Sequence, residues 1–369
     1  MREAARGGFN SSGGGELNRF VFDEAHHLFD VADSVFSSHL TGRETQEFRR
    51  WILGAELQNR SFSRLGLKGR LDDLIFNDGE AKRALEQIVD GAYELPADNW
   101  MQRISDGQPS GSIENFLIKV YKQVKKQNAS NALSYDLESE INLPNEGLIE
   151  ASALLTNTFE AIQRPLSILI ERLKFIFQER SYKWENGKRY RLESLIRGLV
   201  WRLEEQLGIW CAMLDALNVD EHANNEQAKR QLQSDQFVHL LSVERNDNKE
   251  IDVGIHRYNL DPTKPLANIV FASSDGVALT SATLRDNSPD VISDWKLAEA
   301  RMGTNHLPLV KLARFNILSP YSYNEQTRII VVTDVKKNSI EQVASAYLEL
   351  FLASGGGALG LFTAISRLR

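Results

Sequence analysis

The chain has 369 residues, 42% hydrophobic and 25% charged, which is the composition of a globular protein with enough apolar residues for two or three cores. Its formal net charge of −7 argues against unspecific attraction to nucleic acid over the whole surface, but it is compatible with a local basic groove. The sequence has no apolar run near the ~20 residues needed to span a bilayer and no signal-peptide core at its N-terminus, so no membrane is expected and the cytoplasm is the expected location. A single cysteine, Cys211, excludes an internal disulfide and a four-cysteine cluster.

The first part of the chain predicts one short strand followed by helices. Residues 1–18 are rich in Gly and Ser without periodicity and predict a flexible N-terminus. The apolar run 20–22 predicts a strand, and the pattern over 29–98 is helical. A further amphipathic helix is predicted over 113–126 and a loop over 134–144.

The clearest helical signal lies in the middle of the chain. Apolar residues recur at three- and four-residue steps from 192 to 217, a pattern that predicts a long helix. Residues 151–177 are predicted as its antiparallel partner. We interpret these stripes as the packed core of a helical region.

The last part of the chain predicts alternating strands and helices. Residues 237–244 and 250–258 have strand-like composition around the turn Asn246-Asp247-Asn248-Lys249, and they predict a hairpin. The remaining predicted elements are a helix at 266–271, a buried strand at 277–284, a helix around 295–300, a strand at 328–333, a helix at 339–352 and a strand at 358–362.

Two consecutive carboxylates follow the first predicted strand. Asp23-Glu24-Ala25-His26 comes directly after Phe20-Val21-Phe22. Nucleotide hydrolases of the α/β class present a magnesium-binding Asp in this way, at the carboxyl edge of the sheet. Asp23 would then hold the metal, and Glu24 would orient or deprotonate the attacking water. A helix N-terminus is the alternative interpretation, because acidic residues are favoured in a first turn.

A second polar motif follows a later strand. Leu279-Thr280-Ser281-Ala282-Thr283-Leu284 lies at the end of the predicted strand 277–284. Hydroxyl groups there could hydrogen-bond the carboxylates of the first motif and transmit the state of a nucleotide to a neighbouring domain. A β-branched strand ending in a Ser/Thr turn would have the same composition without any function.

In this order, the two motifs resemble motifs II and III of superfamily 2 helicases, and their residues are most similar to those of the DinG/XPD branch. Three further stretches resemble the same branch, so that the resemblance runs from about residue 19 to the last residue. They are Asp261-Pro262-Thr263-Lys264-Pro265-Leu266, Ser319-Pro320-Tyr321 with residues 326–334, and Leu359-Gly360-Leu361-Phe362-Thr363-Ala364, which is similar to motif IV.

The resemblance implies an α/β fold with RecA-like parallel-sheet elements, a large helical arch-like insertion and the start of a second RecA-like domain. The implied divisions are a flexible N-terminus at 1–18, part of the first RecA-like domain at 19–40, the insertion at 41–234, the remainder of the first domain at 235–300 and a truncated second domain at 301–369.

By resemblance, the protein is an ATP-dependent DNA helicase that moves 5′ to 3′ on single-stranded DNA and uses ATP with Mg²⁺. Asp23 would hold Mg²⁺, and Glu24 would activate water. His26 would couple hydrolysis to domain movement, together with Ser281, Ala282 and Thr283. An iron–sulfur cluster, which is common in the XPD branch, is not expected within this chain, and its presence upstream is unknown.

Candidate DNA contacts come from motif IV and from basic residues. Thr363 and Ser366 are assigned by resemblance to motif IV. Lys183 and Arg189 belong to a run of interleaved basic and aromatic residues predicted as a loop between helices, which suits stacking and phosphate contact. Lys122 lies on a predicted helix face with other lysines, and a solvated face is its alternative interpretation.

Two helicase motifs are missing from the sequence. It contains neither a Gly-x-x-x-x-Gly-Lys-Ser/Thr loop, which holds ATP phosphates, nor a Gln-x-x-Gly-Arg-x-x-Arg segment, which supplies an arginine finger. We therefore expect a fragment from motif II to motif IV that is inactive alone. The alternative is a non-catalytic remnant that acts as a DNA- or protein-binding module.

Overall fold

The structure is a computed structural model that describes residues 18–54, 66–128, 136–141, 146–180, 184–217, 236–246, 249–285, 290–307 and 312–362. The chain divides into two compact units, residues 1–309 and 310–369, and each is described by itself. The described residues form an α/β protein with one parallel and one antiparallel sheet.

The described strands are β1 (Arg19–Phe22), β2 (Ser38–Thr41), β3 (Leu137–Glu140), β4 (Phe237–Asn246), β5 (Lys249–Asn259) and β6 (Gly276–Leu279). The helices of the first unit are α1 (Leu28–Phe36), α2 (Gly42–Leu53), α3 (Leu67–Leu71), α4 (Gly79–Ala92), α5 (Trp100–Ser105), α6 (Gly111–Gln127), α7 (Glu146–Arg180), α8 (Asn186–Trp201), α9 (Gly208–Asp215), α10 (Thr263–Pro265) and α11 (Val291–Arg301). The second unit contains α12 (Tyr323–Gln326) and α13 (Ile340–Ala353). Short 3₁₀ turns lie at Ala25–His27 and Thr304–His306, and π-helical segments at Arg202–Leu207 and Leu266–Phe271.

The larger core of the first unit lies between helices and one face of the antiparallel sheet, whose strand order is β2-β5-β4-β3. Side chains alternate along these strands, so every second residue points to the core. Leu40, Leu241, Val243, Val253 and Ile255 are fully buried there among the helices. The opposite face of the sheet carries polar side chains.

The central helices confirm the sequence pattern. α8, the π-helical segment and α9 form a continuous helical run from Asn186 to Asp215, and α7 packs against it along the core. Phe159 of α7 and Trp210 of α9 are in ring contact at 5.3 Å. The hairpin is also confirmed as β4–β5, although residues 247–248 of its turn lie outside the described residues.

A smaller core lies around the parallel pair β1–β6. Ala25, Leu28 and Ala32 pack there against the second π-helical segment, in which Leu266 and Val270 are buried. The chain leaves this core at Ser37, between α1 and β2, and returns at Leu260, after β5. The hairpin β4–β5 packs in the larger core and not beside β1–β6, where the sequence had placed it.

Two predictions in the first half are wrong. The predicted loop 134–144 contains β3, which pairs with β4, and the predicted helical stretch 29–98 contains β2, which pairs with β5. Each strand has four residues, too few for periodicity to reveal, and each forms only because a distant strand offers backbone partners. The basic run predicted as a loop also differs, because α8 already begins at Asn186.

Predictions near the end of the chain are wrong for a related reason. The buried strand at 277–284 is reduced to β6, which is only partly buried. Residues 328–333 and 358–362 contain no strand, and Ile329 and Leu359 are 89% and 83% exposed. Their β-branched and apolar composition favours strands, but composition does not form a sheet without pairing partners. The helix at 339–352 is confirmed as α13.

Candidate functional site at the end of the parallel strand pair

Strand pairing brings the two sequence motifs together. β1 and β6 are parallel, with Phe22 opposite Leu279, so both motifs leave the sheet at the same carboxyl edge. The backbone of Thr280 donates a hydrogen bond to the Phe22 carbonyl at 2.9 Å, and Ala25 donates to the Thr280 carbonyl at 2.9 Å. These two bonds continue the ladder beyond the strands and fix the spacing of the two motifs.

The carboxylates of the first motif are exposed at this edge. Glu24 has a left-handed backbone with φ of 51°, an uncommon state for a residue with a Cβ that costs about 1–3 kcal/mol. Its amide donates to Asp23 Oδ1 at 3.0 Å, which helps to hold the turn. The turn directs the Glu24 carboxylate toward His26, where Oε2 lies 3.2 Å from Nδ1.

His26 links the two motifs. Its Nδ1 lies 2.7 Å from Ser281 Oγ, and the same oxygen accepts a hydrogen bond from the Thr283 amide at 3.1 Å. The sequence suggested that the hydroxyls would meet the carboxylates, but Ser281 meets the imidazole instead. Ala282 and Thr283 are exposed beside it. Because His26 Nδ1 is also near Glu24, this one nitrogen contacts both the Glu24 carboxylate and the Ser281 hydroxyl.

The donor set fits a metal ion that is completed by other ligands. No group of three or more His, Cys, Asp and Glu side chains in the described part of the chain is arranged to hold a metal by itself. Asp23 offers one exposed carboxylate, which matches a Mg²⁺ ion held by one carboxylate, phosphate oxygens and water.

Two ion pairs that sequence reasoning missed hold the segments on either side of the second motif. His306 Nε2 lies 2.9 Å from Asp261 Oδ2, and Asp261 also accepts hydrogen bonds from Thr263. Burial raises the pKa of Asp261, but these hydrogen bonds and the nearby His306 outweigh it and hold the pKa below its usual range. Arg285 Nε, directly after the motif, donates to the buried Asp294 at 2.9 Å. The two members of each pair belong to different segments of the chain, so no periodic pattern in the sequence predicts their contact.

The basic candidates do not form one free surface. Lys188 and Arg191 of α8 both pair with Asp73, and the hydrogen bond from Arg191 is the largest cause of the lowered pKa of Asp73. Arg189 lies over the Phe177 ring at 5.4 Å, and Lys122 is exposed on α6. Lys183, Thr363 and Ser366 lie outside the described residues.

Two hollows in the described part of the chain lie away from this edge. One, of about 620 Å³, lies in the second unit beside α13, and its lining includes Val332, Asp334 and Glu341. A smaller one of about 210 Å³ lies on the polar face of the antiparallel sheet. The candidate site is an open sheet edge, which suits a ligand that would be enclosed by further protein.

Among the residues that the structure describes, none of the helices is long and apolar enough to cross a membrane. Neither a scan against protein-family models nor a search of curated proteins gave a match to this chain. Functional inference therefore depends on the residues and on the geometry of the site.

Proposed function

We propose that the chain is part of an ATP-dependent DNA helicase of the DinG/XPD type. The observation that carries the proposal is the contact of His26 Nδ1 with Ser281 Oγ at 2.7 Å, across strands whose parallel register places the two motifs at one edge. The residues lie 255 positions apart, so neither their proximity nor the shared edge is a consequence of local sequence. The two motifs that the sequence analysis selected as nucleotide-site components therefore lie at one carboxyl edge of a parallel strand pair, and this supports the proposal.

In this proposal, each residue has a separate role at the nucleotide. Asp23 binds Mg²⁺ carried by the ATP phosphates, and Glu24 orients and deprotonates the attacking water. His26 Nδ1 contacts both Glu24 and Ser281, so a shift of the carboxylate toward water would change the hydrogen bond to the second motif. Through that exchange, Ser281 and Thr283 would report hydrolysis to the next domain.

The proposal extends to the fold and to DNA. The parallel pair β1–β6 would be the motif-bearing part of a RecA-like sheet, and the helical core between its strands would be the arch-like insertion. α13 and the extended segments beside it would belong to a second RecA-like domain. Single-stranded DNA would pass along local basic surfaces such as that of Lys122 and Arg189.

A non-catalytic remnant is the second candidate. It is favoured by one observation, the lack of a phosphate-binding loop and an arginine-finger motif in the 369 residues. Without those groups, Asp23 and Glu24 have metal and water to arrange but no cation that neutralises the phosphates. The sequence encoded directly upstream in the genome decides between the candidates, since a phosphate-binding loop there supports the helicase and its absence supports the remnant.

The direct test compares substitutions in the protein extended by that upstream sequence. Glu24→Gln keeps the shape of the side chain but removes the base, so DNA-stimulated ATP hydrolysis should fall by about 10² to 10⁴ while ATP binding is retained. Asp23→Asn should instead weaken the binding of Mg²⁺-ATP. Asp30→Asn, an exposed acid one helical turn away on α1, is the matched control and should change neither quantity. Near-normal hydrolysis by Glu24→Gln would refute the assignment of the first motif.

A further inference from the structure

A chain of hydrogen bonds, buried at its Ser242 end and exposed at its Ser34 end, joins α1 to the antiparallel sheet at the place where the two cores meet. His39 of β2 and His256 of β5 are direct partners across the strands, and their Nδ1 atoms are 2.8 Å apart. His256 Nε2 lies 2.9 Å from Ser242 Oγ, and His39 Nε2 lies 3.0 Å from Ser37 Oγ. Ser37 in turn donates to the Ser34 carbonyl at the end of α1 at 3.0 Å.

The donor and acceptor of each hydrogen bond follow from one assignment, the Ser37 hydroxyl as donor to the Ser34 carbonyl. Because the Ser37 hydroxyl gives its proton to the Ser34 carbonyl, it can only accept from His39, so His39 carries its proton on Nε2. The unprotonated Nδ1 of neutral His39 must then accept from His256, and His256 Nε2 accepts from Ser242. All four bonds are satisfied when both imidazoles are neutral.

The same geometry limits how many protons the pair can hold. Two cationic imidazoles would direct two N–H groups at each other across 2.8 Å, which no rotation within the paired strands removes. The closed pair therefore accepts at most one extra proton, whereas two separated imidazoles take up two. His256 is only 6% exposed, so even one charge is costly in the closed state.

We propose that the His39–His256 pair is a pH-sensitive latch between the smaller core around β1–β6, here called the motif-bearing core, and the larger core, here called the helical core. The latch opens when the edge strand β2 separates from β5. β2 is paired on one side only and over four residues, so its release breaks strand pairing with β5 alone. It also exposes the buried Leu40 and breaks the hydrogen bond that Trp210 Nε1 donates to the His39 carbonyl. It would also free the end of α1, the helix that begins directly after His26 and His27. The latch is independent of nucleotide chemistry.

Nearby charged groups modify the pKa values of the latch, but the latch itself consists of the two histidines. Burial first, and then the adjacent His39, lower the pKa of His256 to about 4, while Asp136 acts in the opposite direction. The charged and titratable groups around the pair are Arg43 and Glu44 of α2, Glu244 of β4, Asp252 and Tyr258 of β5, and Asp136, which precedes β3 and acts on His256. Asp33 of α1 and Glu138 of β3 act on Tyr258. Burial raises the pKa values of Glu244 and Asp252, and repulsion by Asp252 adds to the shift of Glu244, so these acids offer less negative charge to a cationic pair as the pH falls.

The sign of the pH dependence follows from linkage. The folded pKa of His256 lies below the ordinary value of 6.5, so the closed state binds fewer protons than the open one. The stability of the latch is complete above pH 6.5 and is lost as the pH falls toward 4. With at least one proton taken up on opening, the opening constant should rise about tenfold per pH unit, or about two orders of magnitude over this window.

Hydrogen exchange of the whole chain between pH 7.5 and 4 tests the latch. After correction for intrinsic exchange, protection of the β2 and β5 amides should fall about tenfold per pH unit, while the amides of α7 change less. His39→Asn should reduce this local dependence, and His39→Asn combined with His256→Asn should abolish it, because burial still disfavours a cationic His256 in the single variant. His239→Asn is the matched control, because His239 also has its pKa lowered to about 4 by burial and Arg257, but its cross-strand partner is Arg257 and it is not part of the chain of hydrogen bonds from Ser34 to Ser242. Its β2 amides should keep the wild-type pH dependence.

A second variant keeps the test decisive if His39→Asn fails to fold at neutral pH. Ser37→Ala removes the acceptor of His39 Nε2, so β2 protection at pH 7 should fall about three- to tenfold and the midpoint of opening should move to higher pH. Protection of β2 that is independent of pH in the wild type, or an unchanged pH dependence in both variants, would overturn the proposal.

Discussion

At the scale of single residues, His26 is the most informative group in the chain. Its Nδ1 is within reach of both Glu24 and Ser281, so it joins a carboxylate that could activate water to a hydroxyl on the neighbouring strand. The left-handed turn at Glu24 makes this possible. It could not be predicted from the sequence, because Asn and Gly are the residues normally expected in that conformation.

Replacing Ser281 should separate hydrolysis from movement. In the upstream-extended protein, Ser281→Ala leaves Asp23 and Glu24 in place but removes the only second-motif partner of His26 in the described structure. ATP hydrolysis should stay within a few-fold of wild type, while strand separation per ATP consumed should fall about tenfold, as expected for a coupling of about 1.4 kcal/mol.

The control for this substitution is Ser273→Ala, whose hydroxyl bonds carbonyls of its own helical turn, at Ile269 and Val270. Phosphate release and strand-displacement fluorescence, measured together, give the ratio. Parallel loss of both activities in Ser281→Ala would assign Ser281 to the chemistry and not to coupling.

At the scale of elements, the close approach of β2 to β5 depends on Gly254. A Cβ at this position would lie 2.3 Å from the Leu40 carbonyl oxygen and 2.6 Å from Thr41 Cα, both backbone atoms that cannot move without separating the strands. Gly254→Ala should therefore reduce the free energy of unfolding of the first unit by about 1–3 kcal/mol or more.

Gly276→Ala is the matched control, since a Cβ there meets nothing within 4 Å and its φ is not left-handed. It should change stability by less than about 0.5 kcal/mol. Denaturant unfolding followed by tryptophan fluorescence measures both variants, because the six tryptophans all precede residue 310 and report on the first unit. Equal stabilities of the two variants would mean that β2 does not pack against β5 as described.

Long elements could be predicted from sequence, but short ones could not. The helical run from Asn186 to Asp215 and the helix α13 carry a periodic apolar stripe, which is a local property. β2 and β3 carry no such signal, because four residues are defined by the strand beside them. Motif spacing located Asp23 and Ser281 at strand ends, yet only the β1–β6 register shows that His26 is the residue that connects them.

At the scale of the whole molecule, the first unit combines two cores, and among the described residues the chain passes between them at Ser37 and Leu260. The motif-bearing core is small, and its two-stranded sheet presents an open edge. The helical core is large, and its apolar side chains are buried among its own helices and the antiparallel sheet. In the second unit, α13 has no buried residue, and Ile329, Ile330 and Val331 are more than 70% exposed.

The most direct measurement of the central claim is DNA-stimulated phosphate release from Mg²⁺-ATP, made side by side on this chain and on its upstream-extended form. The account predicts turnover near 1 s⁻¹ or above for the extended protein, a common enzyme scale, and none for the 369-residue chain, which lacks the phosphate-binding lysine. Turnover of that size by the chain alone, or an extended protein with a phosphate-binding loop that stays inert on DNA, would contradict it.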